Sequence, residues 1–144
     1  MATGSEEGIL QTLLGSCIGL SLYDRKRRVG GLAHIVLPQS RNSGEKTGKF
    51  VDTAIPVLIG EMERLAGGTV KLAAKIAGGA SMFGTKVTKN IGEENVLATE
   101  RWLKEFGIPI VARDCGGEKG RRMSLDVSNG KVTIEIVGFD PLEL

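Results

Sequence analysis

Few side chains in this sequence are suited to covalent chemistry. There are two cysteines, Cys17 and Cys115, and a single histidine, His34. Cys17 stands in "LLGSCIGLSLYD", directly after a Gly-Ser pair, and His34 in "GGLAHIVLP". Cys17 has four readings: a buried thiol, half of a disulfide, a metal ligand, or a nucleophile with His34 as its base. A zinc site takes about four ligands at characteristic spacing, which two cysteines and one scattered histidine do not supply. No metal is expected. In a reducing compartment, two cysteines this far apart are expected as free thiols.

Two readings stay open. Free cysteine is among the most buried residue types and often acts as a small hydrophobe, and a lone histidine on a sheet face is commonly structural. The alternative is a Cys/His pair. A turn centred near Lys26 would set position 17 opposite about position 35, bringing Cys17 and His34 within a residue or so of cross-strand neighbours, whose Cβ atoms lie ~5 Å apart. A one-residue slip would move either side chain to the other face. If the two meet, the imidazole takes the thiol proton, the thiolate attacks a carbonyl, and loop N–H groups of Ser16 and Cys17 hold the oxyanion. Gly15 would let a substrate approach closely. A thiolate stabilised in this way would react well below the pH of an ordinary thiol, and Cys115 would not. A third polar group should orient the imidazole. Spacing alone indicates acyl transfer by a cysteine and does not separate protease, amidase and transferase.

The elements that must position this pair follow from hydropathy periods. Residues 1–8 are polar and expected to fray. "ILQTLL" reads as a strand, and Ile18, Leu20 and Leu22 alternate with smaller or polar residues as in a half-buried strand. "DRKRR" is a charged turn, and 29–37 form the next strand, ended by Pro38. Residues 38–48 read as a loop. Apolar residues three and four apart predict a helix over 50–66, with Pro56 in its first turn or at a kink. Residues 69–77 form a strand. Asn90 is the expected cap of a helix over 91–106, closed by Gly107. Residues 108–114 form a strand, and "RRMSLDV" and "KVTIEIVGF" form a hairpin about Ser-Asn-Gly. The order is β-β-β-α-β-α-β-β-β. It predicts a mixed α/β fold with largely antiparallel sheets and two main helices, in one domain over 1–144. No dinucleotide or phosphate-binding glycine motif is present.

Composition narrows the function class. A net charge of +2 and an aromatic content of 4% argue against a nucleic-acid binder, which needs a basic face or stacking surface. No apolar run approaches the ~20 residues that cross a bilayer, so no membrane insertion is expected. "MATGSEEGIL" lacks the features of a secretory signal. A cytoplasmic location is expected.

Several blocks in order resemble the chemoreceptor glutamine deamidase family, CheD. They are "LLGSC", "YD" with "GGLAHIVLP", "TGKFVDTAI", "AKIAGGASMF", "IGEEN", "DCGGEKGRR" and "NGKVTI", spanning about residues 9–140. The resemblance implies a layered α/β sandwich and hydrolysis of selected glutamine side-chain amides to glutamate with release of ammonia. It implies methyl-accepting chemotaxis receptors as substrate, the phosphatase CheC as a further partner, and no cofactor. Cys17 matches the family's nucleophile and His34 its catalytic histidine. The third catalytic residue is a threonine five or six places before the cysteine; Thr12 is five before, and Gln11 holds the place six before. Ser16, Gly15 and Gln11 are the candidates for oxyanion and substrate contact. A non-catalytic regulatory module that binds receptors or CheC is the alternative.

Other features have plainer readings. Arg25 to Arg28 form a solvated turn. "GGEKGRR" is a loop whose glycine N–H groups and arginine could hold an anion. Cys115 is structural, Met82 and Phe83 cap the core, and Asn95 supports helix packing.

Overall fold

The computed structural model describes residues 1–36, 51–81 and 86–144. The element order is β1 (Ala2–Ser5), β2 (Ile9–Leu14), β3 (Ile18–Asp24), β4 (Val29–Ile35), α1 (Val51–Ala66), β5 (Ala73–Gly78), α2 (Lys86–Glu105), β6 (Ile110–Cys115), β7 (Arg121–Asp126), β8 (Lys131–Glu135) and β9 (Leu142–Glu143). A five-stranded sheet runs β1-β4-β3-β5-β6 and a four-stranded sheet runs β2-β7-β8-β9. All pairings are antiparallel except β5 with β6, which α2 joins as a parallel crossover. This is the expected α/β sandwich of largely antiparallel sheets with two helices. Among the described residues no helix is long and apolar enough to cross a membrane.

The five-stranded sheet is the middle layer, because its strands carry apolar side chains on both faces. Ile18, Leu20 and Leu22 of β3 and Ala33 and Ile35 of β4 pack with Ala54, Ile55, Leu58 and Met62 of α1 and Ala98 and Leu103 of α2. Leu32 and Ala77 face the other way, onto Leu14, Met123, Leu125, Val132 and Ile134 of the four-stranded sheet. The second interface is tight at Gly19, where a Cβ would lie 2.6 Å from Met123 Sδ and 2.7 Å from Leu14 Cδ1. The two sheets approach closely beside the residues that precede β3.

Four expectations need correction or bounding. Residues 1–8 do not all fray: β1 pairs with β4 from Ala2↔Leu32 to Ser5↔Val29, so backbone pairing orders a segment with little apolar content. Second, α2 begins at Lys86, five residues before the predicted start, and Asn90 lies inside it; an Asn-type cap signal is only a local preference, which a longer helix overrides. Third, α1 keeps Pro56 inside the helix, beyond its first turn. Both helices do close on glycines, Gly67 and the expected Gly107, through paired backbone bonds of the Schellman type. Fourth, the loop over 38–48 and the core-capping reading of Met82 and Phe83 lie outside the described residues.

The β3–β4 register also differs from the symmetric count. Asp24 is buried, and its Oδ1 accepts the N–H groups of Lys26 and Arg27 at 3.0 Å each. These bonds shape a four-residue turn, closed by Asp24↔Val29, whose centre falls between Lys26 and Arg27. Burial opposes the Asp24 charge, but N–H donation from Arg27 and Lys71 outweighs it and holds the carboxyl below its ordinary value. The ladder therefore pairs Ile18 with Ile35 and Gly19 with His34, one residue from the predicted alignment.

Candidate active site

That one-residue difference decides which face the imidazole takes. Extending the ladder one step beyond Ile18↔Ile35 puts position 17 opposite position 36. Position 34 is then the diagonal neighbour on the same face, at a typical Cα separation of about 7–8 Å. The alignment expected from sequence would have put His34 on the opposite face.

The third residue arrives from the other sheet. On β2, Leu10, Thr12 and Leu14 point inward, while Ile9, Gln11 and Leu13 are exposed. Thr12 Oγ1 lies 2.8 Å from His34 Nδ1, a hydrogen bond across the gap between the sheets. Gly15, Ser16 and Cys17 form the bend where the chain leaves the four-stranded sheet and enters the five-stranded one. The chain crossing thus puts Cys17 in the bend between β2, which carries Thr12, and β3, which pairs with the strand of His34. Gln11 is not part of this group: its Nε2 donates to Ser124 Oγ at 3.2 Å on the outer face.

The bend is held through its carbonyls. Gly79 N–H donates to Cys17 O at 2.9 Å and Ala80 N–H to Gly15 O at 3.0 Å. Gly78 has φ +102°, and a Cβ there would sit 2.1 Å from the Cys17 oxygen, so only glycine fits. The N–H groups of Ser16 and Cys17 take no backbone partner among the described residues. They remain as donors, which is the requirement for holding an oxyanion.

Relatives by sequence bear on what such a site does. A family model described as CheD chemotactic sensory transduction matches residues 36–136. A protein of Methanococcus vannielii named probable chemoreceptor glutamine deamidase CheD is 43% identical over 136 residues, covering 93% of this chain and 88% of that protein. A Clostridium botulinum (strain Alaska E43) protein of the same name is 49% identical over 148 aligned positions, covering 97% of this chain and 90% of its own. The chain belongs to the CheD family. A Methanococcus maripaludis relative, 44% identical over 127 residues, covers 87% of the chain and 82% of its own length.

In this CheD chain burial opposes the ionised form of both Cys17 and His34. Burial pushes the Cys17 thiol above its ordinary value, only partly offset by a hydrogen bond from the Ser16 side chain. Burial also pushes His34 below its ordinary value. Both effects favour a neutral thiol beside a neutral imidazole, because each ion loses hydration in the gap. Cys115 is further removed from reaction: it packs against the helix-side core, and burial pushes it up to about 11.

The "GGEKGRR" block supports the bend. Arg121 is buried and donates to the Asp114 carbonyl at 2.6 Å, to Asp114 Oδ2 at 3.0 Å, to Lys119 O at 3.3 Å and to Gly116 O. Its Nη1 and Nη2 shape the loop, while Nε is buried with no partner among the described residues. Gly116 N–H donates to Gly78 O and Ser81 N–H to Gly117 O, both at 2.8 Å, so this loop buttresses the Gly78–Gly79 turn that holds Cys17. A glycine-rich block with two arginines signals a shaped loop in sequence; only the backbone pairings reveal what it supports.

Proposed function

We propose that this CheD family member hydrolyses selected glutamine side chains to glutamate in chemotaxis receptors, with Cys17 as nucleophile, His34 as acid and base, and Thr12 orienting the ring. The observation that carries this reading is the 2.8 Å Thr12–His34 bond, made where β2 leads into the bend that carries Cys17. Its relatives' names supply the substrate class. The non-catalytic alternative presumed an incomplete triad, and the Thr12–His34 bond counts against it.

The chemistry follows from which ring nitrogen is occupied. With Nδ1–H donating to Thr12 Oγ1, the Nε2 lone pair is the free base. The thiol proton passes to Nε2 as sulfur attacks the glutamine amide carbon. This coupled transfer avoids forming a separate buried thiolate, which suits the raised thiol and lowered imidazole. The oxyanion is received by the N–H groups of Ser16 and Cys17. The tetrahedral adduct collapses as His34 returns the proton to nitrogen, expelling ammonia and leaving a thioester on Cys17. Water, deprotonated by the neutral ring, opens the thioester and restores the thiol. Water and the amide supply every atom of the products, glutamate and ammonia, so the sequence of steps uses no cofactor. The substrate glutamine belongs to the receptors' cytoplasmic helical region, which places the reaction in the cytoplasm.

The test is incubation with receptor cytoplasmic fragments and peptide mass mapping of glutamine-to-glutamate conversion. Conversion by the wild type and none by Cys17→Ala is the expected result. Equal conversion by the two proteins eliminates the mechanism.

A further inference from the structure

We propose that Asn95 on α2 is a positioning residue that aims the Cys17 N–H at the oxyanion by clamping the Ser16 carbonyl. The inference rests on the deamidase reading for its biological substrate, though not for its test. Asn95 is fully buried. Its Nδ2 donates to Ser16 O at 3.3 Å and to Val36 O at 3.1 Å. One carbonyl immediately precedes the nucleophile and the other lies two residues beyond His34. The β3–β4 ladder ends at Ile18↔Ile35, and the amide of Asn95 ties the two strands together where their own pairing stops.

The clamp has a chemical consequence because a peptide unit is planar. Ser16 C=O and Cys17 N–H belong to the same unit and point to opposite sides of it. Fixing the carbonyl fixes the direction of the N–H. The other side of the same residue is also restrained, since Cys17 O accepts from Gly79 N–H. Helix α2 abuts that turn as well: a Cβ on Gly92 would lie 2.5 Å from Gly79 O. One helical turn therefore touches both supports of Cys17.

Stability alone does not account for this side chain. Asn95 Oδ1 is buried with no partner among the described residues, a cost that an aliphatic side chain avoids. Thr99 Oγ1 donates to the backbone carbonyl of Asn95 at 2.7 Å, a bond within the helix that does not involve the Asn95 side chain.

The experiment compares two reactions of Cys17. Acylation by p-nitrophenyl acetate passes through an oxyanion, whereas alkylation by iodoacetamide does not. Asn95→Ala and the similarly sized Asn95→Leu, which has no donor, should slow acylation by about 10- to 100-fold, as loss of aim in an oxyanion donor does. Alkylation should be little changed. Thr99→Val, a buried hydrogen-bond loss one turn further along the same helix, should leave both rates near wild type, and thermal melts establish that each variant is folded. On receptor fragments the same variants should lower kcat and spare KM. Acylation unchanged in both Asn95 variants, acylation and alkylation falling together, or wild-type acylation no faster than that of Cys17→Ala would each overturn the proposal. A wild type that fails to deamidate receptors, yet shows the acylation-specific loss on Asn95 substitution, would reject the deamidase reading and keep the positioning role.

Discussion

Replacing Thr12 by valine isolates the orienting bond. Valine keeps the branched shape and replaces the hydroxyl with a methyl, so packing between the sheets is nearly preserved. The lost interaction is the 2.8 Å contact to His34 Nδ1. His34 is half-buried, and an Nδ1–H left without a partner costs about 1–3 kcal/mol. The imidazole can escape that cost by rotating or by moving its proton to Nε2, and either removes the base from the sulfur. At 1.4 kcal/mol per tenfold, kcat should fall by about 5- to 150-fold. Thr12→Ser retains the hydroxyl and should keep most of the activity. The assay is ammonia release from receptor fragments, with ring tautomers read by nitrogen NMR. Thr12→Val with wild-type kcat, or Thr12→Ser as impaired as valine, would refute the role.

Other perturbations probe the supports and charges of the site. Gly78→Ala forces a Cβ to 2.1 Å from Cys17 O at φ +102°; it should destabilise the fold by at least about 1–3 kcal/mol and abolish deamidation, as read by thermal melts and ammonia release, and a stable active variant would contradict the geometry. Alkylation of Cys17 should reach half its maximal rate above the ordinary thiol value of 9.0, and Cys115 near 11; a midpoint for Cys17 below 9.0 would show that the resting pair is ionic after all. His34 must be neutral to act as base, so kcat/KM should rise along an acid limb centred below 6.5. The same depressed value makes the His34 contribution to stability complete above 6.5 and lost as pH falls through the native value. His34→Gln should flatten that part of the stability curve in pH-dependent melts.

Much of the fold was legible because its strands alternate and its helices end on glycine. The closing hairpin β7–β8 follows from period and turn chemistry; the Ile18–Leu20–Leu22 alternation marks a strand, but not the half-buried one expected, since β3 lies between two layers and is covered on both faces. β1 escaped detection because Ala-Thr-Gly-Ser carries no apolar alternation; its order comes from pairing with β4. The start of α2 was misplaced because a capping residue inside a helix looks the same in sequence as one at its end. In the site, Cys17 and His34 stood out as chemically capable types, while the pairing of the strand after Cys17 with the strand of His34 depended on a register that Asp24 sets through its turn. The choice between Thr12 and Gln11 could not be made by counting. Alternation along β2 settles which of them faces His34, and that requires knowing which sheet owns the strand. Charge states were least accessible, since they depend on burial between two layers far apart in the chain.

The central intermediate of the reaction is a covalent bond between substrate and Cys17. Wild-type protein mixed with receptor fragment, quenched in acid and analysed by intact mass and peptide mapping, should show an adduct at Cys17 equal to the fragment less ammonia, absent in Cys17→Ala. Sustained deamidation with no such adduct at any quench time, or an adduct mapped to another residue, would contradict it.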